Sequence, residues 1–212
     1  MKKTKRSVIL WLIAGAVVCL CTLGAVVYGV NSAPAVLVDS ATVTEAAEQV
    51  LACARSGDYD ALGQMLYGAP DLGTCPEQSG DAESLIWSAY LDSIQYQLSD
   101  ECSASGSGVA LNVRITCLDI SAVTDSLQTI APDLLAKKAE EMDSEEDIYD
   151  EEHNYREAFI SEVLRSATVQ VLAEQPRTMD REITLRLLRS NGHWQVVPTE
   201  ELLQFLSGFV SG

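Results

Sequence analysis

Residues 8–30, VILWLIAGAVVCLCTLGAVVYGV, form a run of twenty-three residues without a charge, and this run constrains the chain more than any other feature. As a helix rising 1.5 Å per residue it spans a hydrocarbon core of roughly 30 Å with some tilt. Lys2, Lys3, Lys5 and Arg6 flank it on the N-terminal side only. The positive-inside rule then places residues 1–7 in the cytoplasm as a short tail, residues 8–30 in membrane lipid as a transmembrane helix, and the remainder outside. Trp11 and Tyr28 sit near the two ends, where interfacial anchors are found. The expected location is therefore the cell membrane, single-pass, with an extracellular C-terminal domain. Cleavage after Ala35 is the competing reading, because Ala33-Pro34-Ala35 has the small-x-small form that signal peptidase accepts. The run is longer than the 7–15 residues of a signal-peptide apolar region, which favours an uncleaved anchor. The residues before Cys19 and Cys21 do not resemble a lipobox.

Charge narrows the partners. The 212-residue chain has 14 basic and 31 acidic residues, a net charge of −17. Four of the basic residues precede the apolar run and no acid does, so the rest of the chain carries ten basic against 31 acidic groups, a balance of −21. Phosphate backbones and anionic headgroups repel such a domain, which excludes nucleic acid as a partner and points to cationic or neutral ones.

Four cysteines, Cys53, Cys75, Cys102 and Cys117, fall in the exported part. An even number there permits two disulfides in three pairings; buried thiols are the alternative. None of the spacings is of the C-x-x-C metal type, so no metal site is expected.

Residues 31–41 read as a linker containing Pro34, and residues 42–212 as one extracytoplasmic domain. Thr42 and Glu45 form a capping box, and Val43, Ala46, Ala47, Val50, Leu51 and Ala54 recur at helical spacing. Gly57 ends that helix and Asp58 caps the next, whose apolar side is Tyr59, Leu62 and Leu66. Asp81 caps a third helix with a face of Ala82, Leu85, Ile86, Ala89 and Tyr90. The period then falls to two. Ile94, Tyr96 and Leu98, a turn over residues 103–108, and Val109, Leu111, Val113, Ile115 and Cys117 predict a β-hairpin with one buried face. A helix is expected from Leu118 to about Met142. Residues 140–152, EEMDSEEDIYDEE, hold nine acids in thirteen positions and read as a solvated or disordered crossing. An amphipathic helix around Phe159 to Val171, two strands joined by Ser190-Asn191-Gly192, and a last helix capped by Thr199 with Leu202, Phe205, Leu206, Phe209 and Val210 on one side complete the pattern. The fold class expected is α+β, with helices packed on one face of an antiparallel sheet.

Three segments resemble the NTF2-like (cystatin-like) superfamily, particularly its small extracytoplasmic members of unknown function from Gram-positive bacteria. They are Val50 to Tyr59, with its Gly57-Asp58-Tyr59 junction; Tyr96 followed by Val109 to Asp119; and Leu187 to Val196, with Asn191-Gly192-His193-Trp194. The resemblance covers most of residues 42–198 and implies a cone-shaped roll of sheet against helices with a pocket between them. The acidic helical insertion departs from the compact family form.

Enzymes of that superfamily place Asp, His or Tyr in the pocket. Here Tyr90, Tyr96, Asp119 and Trp194 are the ligand-pocket candidates. Asp119 also suits a helix cap, and the three aromatic residues also suit core packing. His153 and His193 lack a nearby nucleophile motif, and surface positions are expected for both. In the acidic run, Asp143, Glu145 and Asp147 have alternate spacing. The Gly and Glu that a calcium loop needs are replaced by Ile148 and Asn154. The expectation is a non-catalytic, membrane-tethered binding or scaffold domain without cofactor or metal, contacting an envelope protein or a small apolar ligand. The alternatives are a hydrolase or isomerase using the pocket, or an accessory subunit whose membrane helix pairs through Gly15 and Gly24.

Overall fold

The computed structural model describes residues 40–72, 80–142, 144–174 and 176–207, and of Ser40 and Ala41 only the backbone. The expected tail, transmembrane helix and most of the linker lie outside the described residues, as do Cys19, Cys21, Cys75, Asp143, Phe209 and Val210. No helix among the described residues is long and apolar enough to cross a membrane.

The protein is α+β. The described elements are α1 (Ser40–Ser56), α2 (Tyr59–Met65), α3 (Ala82–Ser93), β1 (Gln95–Ser105), β2 (Gly108–Leu118), α4 (Ile120–Glu141), α5 (Glu145–Ile148), α6 (Glu157–Ala173), β3 (Thr178–Ser190), β4 (His193–Val196) and α7 (Glu200–Leu206). The chain divides into two compact units. Of the described residues, one contains 80–89, 119–142, 144–174 and 176–177, the other 40–72, 90–118 and 178–207.

In the second unit the four strands form one antiparallel sheet in the order β1-β2-β3-β4. Strict alternation on β2 buries Val109, Leu111, Val113, Ile115 and Cys117, and their partners Leu187, Leu185 and Ile183 on β3 are buried too. The other face stays polar and carries cross-strand pairs. The Arg114 guanidinium donates to Glu182 at 2.9 Å, and the Thr116 hydroxyl donates to Asp180 at 2.6 Å. Helix α1 lies against β4 and β1 and α7 against β3, which covers the apolar face with Val43, Ala47, Val50, Leu51, Leu202 and Phe205.

Local chemistry sets the boundaries. Gly57 has φ +71, beyond the helical range, and ends α1; Asp58 then accepts from the Ala61 amide at 3.0 Å to start α2. The β3–β4 turn needs positive φ at both central residues, and Asn191 (φ +51) and Gly192 (φ +86) supply it. The β1–β2 turn is tighter than expected. Strand β1 continues to Ser105, which pairs with Gly108, and only Gly106 and Ser107 make the turn. The first helix begins at Ser40, so the last two residues assigned to the linker are helical.

The first unit pairs α4 with α6. Here the acidic run departs from its expected disorder. Residues 145–148 make a helical turn, and Ile148, 2 % exposed, joins a core cluster with Leu135, Phe159 and Val163. Tyr149 bridges Tyr155, and their rings stack with centroids 5.0 Å apart. The Arg156 side chain donates to the carbonyls of Glu146 and Tyr149 at 2.6 and 3.0 Å. Nine carboxylates mark the run as solvated, and seven of them, Glu140, Glu141, Glu145, Glu146, Asp147, Glu151 and Glu152, are exposed, with Asp150 half-buried. Ile148 and Tyr149 within the run, with Tyr155 and Arg156 just beyond it, supply the order that composition alone conceals.

Candidate functional site

In the second unit an open groove of about 480 Å³ runs between α1 and the edge strand β1. Thr44, Glu45 and Glu48 line it from the helix, and Tyr96, Leu98, Ser99 and Asp100 from the strand. Because α1 starts at Ser40, Thr42 lies inside the helix and is not the cap expected of it; the N-terminal half of α1 turns its buried stripe of Val43, Ala47 and Val50 to the sheet, which leaves Glu45 and Glu48 on its exposed flank. On β1, Tyr96 and Leu98 pair with the buried Ile115 and Val113, yet they are only half-buried, because among the described residues β1 has a strand neighbour on one side only. Beyond Leu98 the register shifts, with Ser99, Asp100 and Glu101 inserted before Cys102 pairs with Leu111. This bulge carries Asp100 into the groove wall. The groove therefore combines three carboxylates, three hydroxyls and one aliphatic side chain, and its field favours cations.

Of the four pocket candidates from the sequence, the groove includes Tyr96 alone. Tyr90 is a core residue, 2 % exposed, whose hydroxyl donates to the Phe205 carbonyl at 2.6 Å. Burial, followed by the adjacent Cys117 thiol and Tyr59, pushes its ionisation far above the usual tyrosine range, against a smaller lowering by Arg181. Trp194 is half-buried on the four-residue edge strand β4, opposite Arg189, and is not part of the groove wall. Asp119 belongs to the other unit and acts as a cap, accepting from the Ala122 amide at 3.0 Å; Arg177 pairs with its second oxygen at 3.6 Å. Both histidines are exposed. His153 stacks on Tyr149 with centroids 5.1 Å apart, and His193 opens β4.

Cys53 and Cys102 are free thiols, and Cys75, the fourth disulfide candidate, lies outside the described residues. The register separates two of the candidates. Cys102 faces Leu111, whereas Cys117 lies six residues further along β2, roughly 20 Å away at the rise of a strand. A bond between those two is excluded. Burial and the nearby Asp58 carboxylate push the Cys53 thiol up, so it stays protonated and a poor nucleophile. No cluster of His, Cys, Asp or Glu able to hold a metal ion occurs among the described residues.

Sequence reasoning missed Glu45, Glu48, Leu98, Ser99 and Asp100. Two signals were present: acids on the polar flank of α1, and half-apolar alternation on β1. The sequence does not show that this flank borders that edge. No family model, curated protein or solved structure matches the chain.

Proposed function

We propose that the chain is a membrane-tethered, extracytoplasmic binding domain of NTF2-like type, non-catalytic, that holds a protein partner of the cell envelope in the groove between α1 and β1. One observation carries this reading: an open groove of about 480 Å³ at a sheet edge, lined by Glu45, Glu48 and Asp100. Carboxylates are costly to cover with an apolar molecule, so the groove favours a protein partner over a small apolar ligand. The uncharged run at residues 8–30 supports the tether and the outward orientation. The short segments around Gly57-Asp58, Tyr96 and Asn191-Gly192 support the family assignment.

Site-directed photo-crosslinking in intact cells tests the reading. A crosslinking side chain replaces Ser99 in the groove or, as a control, Asn112 on the opposite polar face of the sheet. The expected result is a discrete adduct from position 99 that is absent from position 112 and lost when Glu45→Gln, Glu48→Gln and Asp100→Asn are combined. Identical adduct patterns from both positions would refute the groove as the partner site. Protection of a C-terminal tag from external protease would refute the orientation.

A further inference from the structure

The two edges of the sheet are treated differently. A sheet edge presents unpaired amide and carbonyl groups, and proteins blunt it with short strands, bulges, charges or a covering segment. The β4 edge is blunted twice. The strand has four residues, and Leu66 bridges Val196 while the Tyr67 amide donates to the Val196 carbonyl at 2.8 Å. The β1 edge has eleven residues, about twice the usual strand length, and no strand pairs with its outer side among the described residues. Its bulge and acids protect only the middle. Gln95 to Leu98 remain regular, paired one-to-one with Thr116 to Val113. Alongside them the groove between α1 and β1 is open, with Tyr96 and Leu98 among its lining residues.

We propose, building on the partner-binding reading above, that the outer edge of Gln95–Leu98 takes an extended, lysine- or arginine-bearing segment of another protein as a fifth strand. An added strand makes main-chain hydrogen bonds to the edge and sends every second side chain to one face. On the groove face those side chains meet Glu45, Glu48 and Asp100, which select basic residues, while the stems of lysine or arginine lie along Tyr96 and Leu98. The same charges disfavour the other obvious occupant of an open edge. A second copy of this chain would bring its own Glu45, Glu48 and Asp100, and a net charge of −17, to the same acidic edge, and like charges repel. The edge thus favours a cationic partner over self-association.

The test uses the full chain in uncharged detergent micelles and three fluorescent decapeptides read by anisotropy: alternating Lys-Thr, alternating Glu-Thr and alternating Lys-Pro. Lys-Thr should bind. Glu-Thr should not, and Lys-Pro, which keeps the charge but lacks half the amide donors, should bind at least tenfold more weakly. Hydrogen exchange should slow at Gln95–Leu98 when Lys-Thr is bound. Combining Glu45→Gln, Glu48→Gln and Asp100→Asn, all near-isosteric and at exposed positions, should weaken Lys-Thr binding at least tenfold with an unchanged circular dichroism spectrum. Equal binding of Lys-Pro and Lys-Thr, or no new protection on β1, overturns strand addition and leaves the groove as a partner site. Undiminished Lys-Thr binding by the triple variant, or no Lys-Thr binding at all, overturns basic-segment recognition, and the crosslinking result then decides separately whether the groove holds any partner.

Discussion

Replacing Tyr90 by Phe removes one oxygen atom from the core of the sheet-bearing unit, and the structure states what that oxygen does. The ring is 2 % exposed and packs on Phe205 with centroids 6.5 Å apart, contacts that a phenylalanine keeps. The hydroxyl donates to the Phe205 carbonyl at 2.6 Å, and the Tyr59 hydroxyl donates to the next carbonyl, that of Leu206, at 2.7 Å. Both carbonyls lie in the last turn of α7, beyond the regular ladder; the Ser207 amide, which bonds chiefly to Leu203, is the one described amide that also approaches the Phe205 carbonyl. Tyr90→Phe therefore leaves a buried acceptor short of its donor, a loss of about 1–3 kcal/mol. The pH dependence gives a second signature. Burial first, then Cys117 and Tyr59, raise the ionisation of Tyr90 in the folded state. The folded chain thus holds the phenolic proton more tightly than the unfolded chain, which releases it near pH 10. Below about pH 10 the contribution is intact. Above it, stability falls by up to about 1.4 kcal/mol per pH unit until the raised folded value is reached. Urea midpoints of the full chain in micelles, measured from pH 7 to 11, should show the variant weaker at pH 7 and the two curves converging above pH 10. A loss below about 0.5 kcal/mol at pH 7 together with parallel curves would refute the buried hydroxyl as a structural donor.

Two further substitutions probe the helical unit. Ile148→Ala removes the apolar anchor of the acidic run from its cluster with Leu135, Phe159 and Val163. It should cost about 2–4 kcal/mol and speed hydrogen exchange along α4 and α6, and unchanged exchange would show that the run contributes nothing to that core. Thr168 is 0 % exposed and its hydroxyl has no partner among the described residues, so Thr168→Val should stabilise by about 1 kcal/mol in the same urea assay. Destabilisation would reveal a donor or acceptor that the hydroxyl serves.

The features legible in the sequence are those decided within a few residues. Gly57 and Asp58, Asn191 and Gly192, and the caps at Asp81, Asp119 and Thr199 are local contracts between a side chain and its neighbouring backbone, and each forms as expected. The alternation on β2 was equally readable, because a strand covered by neighbours on both sides buries one whole face. Reading failed where burial depends on distant chain. In α3 apolar residues lie on every side, and of the expected face Ala82, Leu85, Ile86, Ala89 and Tyr90 only Tyr90 is fully buried, the others half-buried. Ser84 and Trp87, which the periodicity left out, are packed inside with it. Trp194, expected in the core as a large ring on a strand, is half-buried, because β4 is short and at an edge.

The acids make the same point for the site. By composition, the carboxylates of residues 140–152 are the strongest electrostatic feature of the chain, while Glu45, Glu48 and Asp100 are an ordinary scatter. Their surroundings reverse the ranking. In the run, the exposed carboxylates are screened by water, and Ile148 and the stacked tyrosines supply the order. At the β1 edge, three acids from two elements line one open groove, so their charges act on the same volume. What a carboxylate recognises depends on how many others face the same small volume and on what backbone lies beside it. That is a property of the helix–strand juxtaposition, and no count of acids along the chain contains it.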